Sequence, residues 1–320
     1  MPIGTWRPSH TSTIYLASLQ TPIDYNTMDS RQDQDTYTGL TRDQEESQRL
    51  NLQHDLYIKS TGFHLHPRIA ATLPADAHIA EVATGTGIWL RSLAVSPQSS
   101  PNWKFTGFDL SPEQFPPEPN RKGVDFQTLD ILKPPPEEER GKYDVVHVRL
   151  LVCGLKGSDW RHAAANILAL LKPGGWIQWH EGTFAELQFM QSTPLAPYPS
   201  ASREVAQYAV RTLNDKESKV LTADVLDLPQ TVADAGFVNV ERYLFSSDRA
   251  EVEETRKLAT QVEIGAMIVL AKYCARVHPD AGKTEMEVEE LVQKCQEEMK
   301  AGQWYCRWDM HLVTGRKAGG

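Results

Sequence analysis

The chain has 320 residues, 40% of them hydrophobic, which is enough for one large domain with a substantial core. Its 33 Lys and Arg against 42 Asp and Glu give a net charge of −9 without a basic cluster, which argues against nucleic acid and favours a small-molecule partner. The four cysteines lie far apart with no Cys-x-x-Cys pair, which argues against a disulfide framework or a zinc site and indicates a reducing, cytoplasmic location.

The first part of the chain carries no targeting or membrane signal. Its first ten residues have no cationic or apolar stretch, and the longest apolar run, 264–271, is far short of the ~20 residues of a membrane span. No membrane partner is therefore expected. Residues 1–45 are polar without a clear period, which predicts an N-terminal arm ahead of a domain at 46–320. The sequence leaves open whether this arm joins two chains in a homodimer.

The strongest motif lies at residues 79–89, after a helical pattern that begins at Gln44 and ends at Gly62. It predicts a short apolar strand containing Glu81, a tight turn through Gly85-Thr86-Gly87, and the start of a helix. The two glycines can take positive φ and have no Cβ, so backbone N–H groups can approach a bound small molecule closely. A strand that feeds such a turn is where an open α/β sheet binds its nucleotide.

The spacing around this loop argues against a dinucleotide. A dinucleotide fingerprint needs a third small residue three positions after Gly87, where this chain has Leu90, so a nicotinamide-dependent oxidoreductase is disfavoured. Glu81 would repel a pyrophosphate but attract an ammonium group. Asp109, 22 residues after Gly87, ends the next predicted strand, where a carboxylate can take both ribose hydroxyls. An amino-acid ammonium together with a ribose describes S-adenosylmethionine (SAM).

The rest of the chain alternates strands with helices or short crossovers. Further strands are predicted at 103–109, 124–129, 143–150, 176–181, 238–245 and within 304–315. The proline-rich segment 111–119 allows no more than a turn or two of helix, and a longer helix is predicted from Ser158 or Asp159 to the Lys-Pro-Gly-Gly stop at 172–175. This alternation predicts an α/β fold with a parallel sheet and right-handed connections.

The segment from Glu81 to Gly87 resembles motif I of the class I SAM-dependent methyltransferases. Ala83 replaces the first glycine of that motif, and we expect a mild departure because alanine allows a turn in the β or α region. The resemblance implies a Rossmann-like seven-stranded, mostly parallel sheet with an antiparallel terminal strand pair. The segments 182–227 and 251–302 would be helical cap insertions over the ligand edge, and a homodimer would use them or the arm.

Within this family the chain most resembles fungal secondary-metabolite methyltransferases, including amide N-methyltransferases of gliotoxin-type pathways. The resemblance is carried by Arg49-Leu50-Asn51-Leu52-Gln53-His54, Gly85-Thr86-Gly87-Ile88-Trp89, Tyr143-Asp144-Val145-Val146-His147-Val148-Arg149 and Leu171-Lys172-Pro173-Gly174-Gly175-Trp176. It implies methyl transfer from SAM to a nitrogen, oxygen or sulfur of a small, mostly apolar molecule. The alternative is a SAM-binding protein of this fold that transfers no methyl. Such a protein would instead assist a cyclisation or rearrangement, or act as a regulator.

The same resemblance implies contacts for the amino-acid part of SAM. Glu81 would accept a hydrogen bond from the methionine ammonium, directly or through water, and Gly85, Thr86 and Gly87 would supply the closely approaching backbone. Arg149 would either hold the first strands together or orient the cofactor carboxylate. The helix ahead of the loop often closes over the cofactor in this family, so its residues Asn51, Gln53 and His54 are either contacts or a solvated polar face.

Four further residues would bind the nucleoside. Asp109 would hold the ribose diol, and Leu110 would lie against the adenine. Asp130 would accept a hydrogen bond from the adenine amine, with the Ile131 N–H facing a ring nitrogen. An acid at a strand end can also be a helix cap or simply solvated.

Candidate catalytic groups lie on the fourth and fifth predicted strands. The sulfonium already activates the methyl carbon, so the protein mainly positions a nucleophile, which can supply up to ~7–11 kcal/mol, and a base is needed only if a proton must leave. His180 and Glu181 fall at a strand end and are the better candidates to reach substrate, whereas His147 is a candidate base or a core histidine. His64 and His66 lack a third ligand, so no metal is expected.

Overall fold

The computed structural model describes residues 39–184, 187–217, 223–248 and 253–319. Most of the predicted arm at 1–45 lies outside these ranges. The strands are β1 (His78–Val82), β2 (Lys104–Asp109), β3 (Val124–Thr128), β4 (Tyr143–Arg149), β5 (Leu171–Gly182), β6 (Gln188–Gln191), β7 (Phe237–Ser246), β8 (Trp304–Arg307) and β9 (Asp309–Lys317). The α-helices are α1 (Gln44–Thr61), α2 (Pro67–Ala70), α3 (Ile88–Ala94), α4 (Asp159–Leu170), α5 (Ser200–Glu217), α6 (Ala223–Leu226), α7 (Leu228–Asp234), α8 (Glu253–Ala259), α9 (Gly265–Val277) and α10 (Glu285–Ala301).

The central sheet has seven strands in the order β3-β2-β1-β4-β5-β9-β7. Strands β1 to β5 pair in parallel, while β9 is antiparallel to both β5 and β7. The predicted Rossmann-like sheet with an antiparallel terminal pair is therefore confirmed. Its direction of progression reverses between β1 and β4, so the carboxyl ends of these neighbouring strands border a crevice of the kind that binds ligands.

Two strand boundaries differ from the prediction. The Lys-Pro-Gly-Gly sequence lies inside β5, because Leu171 already pairs with Tyr143 and a register shift before Val145 absorbs the turn. Gly174 takes a φ of 80° there, which only glycine adopts readily. The strand expected within 304–315 is two strands that break at Trp308, and β8 pairs with β6 in a separate two-stranded sheet.

The two predicted insertions contain most of the additional helices. Helices α5, α9 and α10 pack against one another, and their apolar residues join the same buried cluster as the sheet. Helix α8, a π-helical turn at Thr260–Ile264 and α9 form one continuous helical segment, Glu253–Val277. By length and composition alone this segment could cross a membrane, but 78% of its most apolar window is buried inside the fold. Its apolar residues therefore serve core packing here.

Candidate functional site

A cleft of about 1250 Å³, part of it open to solvent, lies at the carboxyl ends of the parallel strands. Helix α1, the glycine loop after β1 and the ends of β2, β3 and β4 surround it, and Phe184 and Ala266 complete the wall. The candidate residues in its lining are Gln53, Gly85, Thr86, Asp109, Leu110, Asp130, Ile131 and Arg149. The fold therefore gathers most of the predicted cofactor contacts at one place.

The glycine loop is held by three residues in the left-handed region. Ala83, Gly85 and Gly87 have φ values of 56°, 52° and 65°. The expectation that Ala83 turns in the β or α region is wrong, and alanine pays roughly 1–2 kcal/mol for the left-handed conformation. Gly87 does not line the cleft; a Cβ there would lie 2.3 Å from the Phe126 ring. Its missing side chain makes room for Phe126 rather than for a ligand.

Helix α1 covers the glycine loop. The Thr86 hydroxyl donates to the Asn51 amide oxygen at 3.0 Å, and Gln53 is buried against the cleft. His54 faces Arg149, with 3.4 Å between its Nδ1 and Arg149 Nη1. Burial, followed by the charge of Arg149, lowers the pKa of His54 to about 2, so the ring is neutral and can accept this hydrogen bond. The polar side of α1 thus faces the site rather than solvent.

Asp109 ties the end of β2 to the glycine loop. Its Oδ2 accepts a hydrogen bond from the Gly85 N–H at 2.7 Å, and its Oδ1 accepts a longer one from the Ser111 N–H at 3.3 Å. Burial raises the pKa of this carboxyl above its ordinary value, while the two N–H donors oppose the shift. Leu110 follows at the cleft with 45% of its surface exposed, so it offers an apolar face to a ligand.

Asp130 and Ile131 form the part of the wall that follows β3. The Asp130 carboxylate accepts from the Leu132 N–H at 3.0 Å and pairs with Lys133 at 3.1 Å. The Ile131 carbonyl accepts from the Asn166 side chain at 2.7 Å, which fixes the backbone of this turn. These contacts hold the turn after β3 at the edge of the cleft.

Arg149, at the end of β4, places a half-buried cation in the cleft. Its guanidinium lies over the Tyr57 ring at 5.3 Å, and no carboxylate within 39–184, 187–217, 223–248 and 253–319, the ranges that the structure describes, forms an ion pair with it. Burial lowers the pKa of Arg149, and the charge of Glu81 opposes that shift. A guanidinium that is partly withdrawn from water is unfavourable without a counter-ion, and the carboxylate of an amino-acid ligand would neutralise it.

Glu81 lies under the loop instead of in the cleft lining. Its Oε2 accepts from the Thr84 hydroxyl at 2.6 Å, and its Oε1 is 3.1 Å from His147 Nδ1. Burial raises the pKa of Glu81 to about 7, although Arg149 lowers it. In this arrangement Glu81 supports the loop, and the contact with a ligand ammonium remains a prediction.

The three candidate catalytic residues are buried behind the cleft. The His147 ring stacks on Trp89 at 3.8 Å, and its Nε2 is 3.2 Å from His180 Nδ1. Burial lowers the pKa of both histidines well below the ordinary value, so both are neutral. Glu181 accepts from the Leu151 N–H at 2.8 Å and from the Trp179 ring N–H at 2.8 Å, and burial raises its pKa to about 8.

The expectation that His180 and Glu181 reach substrate from a strand end is corrected by the length of β5. The strand continues to Gly182, so both residues are inside it and pair with Leu312 and His311 of β9. None of the three candidates lines the cleft. Their roles in this structure are to join strands and to support the turn after β4.

Sequence reasoning missed Arg49, which lines the cleft and forms a buried ion pair with Glu46 at 2.6 Å. The available signal was an acidic and a basic residue three positions apart on a predicted helix. His64 is bound to the Ser92 hydroxyl at 2.8 Å, while the His66 ring packs on Tyr243. Within the part of the chain that the structure describes, no three metal-ligating side chains are grouped to hold a metal.

Comparison with known proteins adds independent observations. A family model described as a methyltransferase domain matches residues 53–241. Methyltransferase grgD of Penicillium sp is 39% identical over 163 residues, which are 48% of this chain and 55% of that protein. N-methyltransferase tcpN of Claviceps purpurea is 35% identical over 153 residues, 47% of this chain and 54% of that protein. The chain thus spans about half the length of these two relatives. The secondary metabolism regulator LAE1 of Hypocrea atroviridis is 25% identical over 293 residues, 86% of this chain and 77% of that protein.

Proposed function

The chain belongs to the methyltransferase domain family, and on that premise we propose that it transfers the methyl group of SAM to a nitrogen, oxygen or sulfur of a small, mostly apolar secondary metabolite. Nitrogen is favoured because the relative tcpN is named an N-methyltransferase. The observation that carries the proposal is the cleft in which Gly85, Asp109, Asp130 and Arg149 converge.

The residues of this cleft fit SAM in both its charged and its neutral parts. The Asp109 carboxylate lines the cleft and would hold the ribose, and Leu110 and Ile131 would provide apolar surface for the adenine. Arg149 would neutralise the methionine carboxylate by a charge-assisted hydrogen bond. When bound, SAM supplies a methyl group that is already activated by the positive sulfur. The protein then has to hold the nucleophile in line and keep water out.

The apolar part of the cleft lining favours an apolar acceptor. It includes Leu40, Leu151, Cys153, Leu155, Phe184 and Ala266. An apolar wall recognises its ligand by burying hydrocarbon surface, with a few polar groups to set orientation. This lining and the net charge of −9 support a small molecule over a nucleic acid as the partner.

The proposal is tested by calorimetric titration of the purified protein with SAM and with S-adenosylhomocysteine (SAH). We expect both to bind with micromolar affinity, and we expect SAH to accumulate when the protein is incubated with SAM and an extract of apolar metabolites. A protein that binds neither ligand would overturn the methyltransferase proposal. NADH serves as the comparison ligand, because tight NADH binding would instead indicate a nicotinamide-dependent enzyme.

A second candidate is a SAM-binding regulator that transfers no methyl to a small molecule. It is favoured by the match to the regulator LAE1, which extends over 86% of this chain. The two candidates differ in one measurable quantity. The enzyme forms SAH in proportion to methylated product, whereas a regulator binds SAM and SAH but releases no SAH with small molecules present.

A further inference from the structure

A π-helical turn interrupts the long inserted helix. Thr260–Ile264 lie between α8 and α9, and the charged residue Glu263 is the fourth of these five residues. Such single π turns are uncommon inside α-helices and are frequently found at functional sites. The turn changes the direction in which its side chains point, so Glu263 faces the protein interior instead of solvent.

Glu263 is a buried carboxyl without a hydrogen-bond partner. Its exposure is 0%, and neither of its side-chain oxygens has a partner among the residues that the structure describes. Burial raises the pKa of Glu263 to about 8, with the charge of Arg49 opposing. An unsatisfied buried carboxyl costs several kcal/mol in an apolar environment (roughly 2–7 kcal/mol for a polar group). Core packing does not explain why an unpaired carboxyl is buried at this position, and a role in binding or catalysis would explain it.

Three other buried polar atoms face the same region and likewise have no partner within the described ranges: Tyr57 Oη, His180 Nε2 and Trp308 Nε1. The Tyr57 ring packs edge-on against His180 at 5.4 Å and against Trp308 at 5.8 Å. After burial, the charge of Glu263 is the next cause that raises the pKa of Tyr57. We call Tyr57, His180, Glu263 and Trp308 the buried polar cluster.

The buried polar cluster lies directly behind the acceptor side of the cleft. Phe184 lines the cleft and stacks on Trp308 at 5.5 Å. Ala266 lines the cleft one helical turn after Glu263, and Arg149 reaches from the cleft over the Tyr57 ring. None of the four residues of the cluster lines the cleft itself, so a ligand group would reach Glu263 and its neighbours only by passing Phe184.

We propose that the buried polar cluster is the subsite for an N–H group of the methyl acceptor, with Glu263 as its hydrogen-bond acceptor and proton acceptor. This inference rests on the proposed methyl transfer. The cluster fits such a group because the two Glu263 oxygens can accept from N–H, while the Tyr57 hydroxyl and the Trp308 ring N–H can donate to a neighbouring acceptor atom. A purely apolar acceptor would leave all these atoms unsatisfied.

The transfer step balances with Glu263 as its base. The acceptor nitrogen attacks the methyl carbon, and a nitrogen–carbon bond forms as the carbon–sulfur bond breaks. The electron pair of the broken bond goes to sulfur, which becomes a neutral thioether. The proton of the acceptor N–H passes to a Glu263 oxygen when that carboxyl is in its ionised form, and it is lost to solvent when the product leaves. A positioned base of this kind contributes typically about 10²–10⁴-fold in rate.

The test compares two probes that differ only in the N–H group: N-benzylacetamide and its N-methyl derivative. Each is titrated into SAH-saturated wild type, Glu263→Gln, Tyr57→Phe and the control Glu254→Gln. Glu254 is an exposed glutamate of the same helical segment whose partner is Lys59. With the titrations made at about pH 9, where Glu263 is ionised, we expect wild type and Glu254→Gln to prefer the N–H probe by about 10- to 100-fold, the value of one hydrogen bond to a charged group. Glu263→Gln should lose most of this preference, while Tyr57→Phe should weaken both probes.

Each outcome has a separate meaning. If wild type does not bind SAH, the proposed function fails before the subsite is tested. If SAH binds but the wild type does not distinguish the probes, or binds neither, the assignment of Glu263 is overturned. An equal preference in wild type and Glu263→Gln would overturn it as well. Thermal unfolding of each variant identifies any that fails to fold. If Glu263→Gln does not fold, Tyr57→Phe provides the second test, because it removes only the unpartnered hydroxyl of a buried residue. Unchanged affinity of Tyr57→Phe for both probes would then overturn the subsite.

Discussion

The Asp109 carboxylate accepts a hydrogen bond from the Gly85 backbone N–H at 2.7 Å, so the acid that ends β2 and the loop that follows β1 form one unit. The Thr84 N–H adds a second link, to the Phe108 carbonyl at 2.9 Å. A ligand held by Asp109 is therefore presented to a loop whose shape the same residue sets.

Asp109 should contribute to SAM affinity through both its charge and its support of the loop. Asparagine keeps an oxygen for the Gly85 N–H but removes the charge, whereas alanine removes both. We expect Asp109→Asn to weaken SAM binding by about 10-fold and Asp109→Ala by about 100-fold or more, from hydrogen bonds of roughly 1.5–3 kcal/mol to a charged group. Calorimetric titration measures both. Wild-type affinity in Asp109→Ala would show that the ligand does not contact this acid.

Arg149 should act on the amino-acid part of SAM and leave the nucleoside part unaffected. Methylthioadenosine, which has the nucleoside but no carboxylate, separates the two. We expect Arg149→Met to lower SAM affinity by about 10- to 100-fold and to leave methylthioadenosine affinity unchanged. The control is Arg161→Met, an exposed arginine of α4. An equal loss for both ligands would instead assign Arg149 to holding the strands.

The strain at Ala83 should be visible in stability. Its φ of 56° is unfavourable for alanine by roughly 1–2 kcal/mol, whereas glycine adopts this φ without strain. The larger loss of backbone entropy of glycine on folding offsets part of this difference. We expect Ala83→Gly to raise the free energy of unfolding by up to about 1 kcal/mol. The matched control Ala80→Gly, in the buried strand β1, should lower it by about 1 kcal/mol. Denaturant unfolding compares them, and a destabilised Ala83→Gly would contradict the strain argument.

The fold was predictable because each apolar run, such as that of β4, is bounded by turn residues, and because the alternation of strands and helices allows few topologies. Asp109, Asp130 and Arg149 were also predictable as cleft residues, since residues at the carboxyl ends of parallel strands meet at one edge. The residue at which a strand ends could not be predicted from the sequence. The pairing of β5 with β9 extends β5 to Gly182, and this removes His180 and Glu181 from the edge.

Glu263 escaped sequence reasoning for a different reason. It lies between Val262 and Ile264 in an apolar segment. A single acid in such a segment predicts an amphipathic helix with the acid on its solvent side. Only the π turn and the packing of α1 against it show that the carboxyl faces inward. A lone carboxyl within such a run is the signal that could have singled it out, because glutamate is almost never fully buried without a partner.

The titration of Glu263 should make stability depend on pH. Burial raises its pKa from 4.5 to about 8, whereas in the unfolded chain it stays near the lower value. The charged or titratable groups around it are Arg49 and Tyr57 of α1, His180 of β5 and Cys306 of β8. Between these two pKa values the folded protein binds a proton that the unfolded chain does not, so the free energy of unfolding falls as pH rises.

Glu263→Gln removes this titration but keeps the size of the side chain. We therefore expect the free energy of unfolding of the variant to rise relative to that of wild type between about pH 5 and pH 8, by up to about 1.4 kcal/mol per pH unit. Burial also raises the pKa of Glu81 to about 7 and of Glu181 to about 8, but both are present in both proteins, so the difference between the two curves isolates Glu263. Denaturant unfolding at each pH measures it, with Glu254→Gln as the exposed control. Parallel curves for wild type and Glu263→Gln would mean that Glu263 is ionised or compensated in the folded protein, and the unsatisfied carboxyl from which the acceptor subsite was inferred would then not exist.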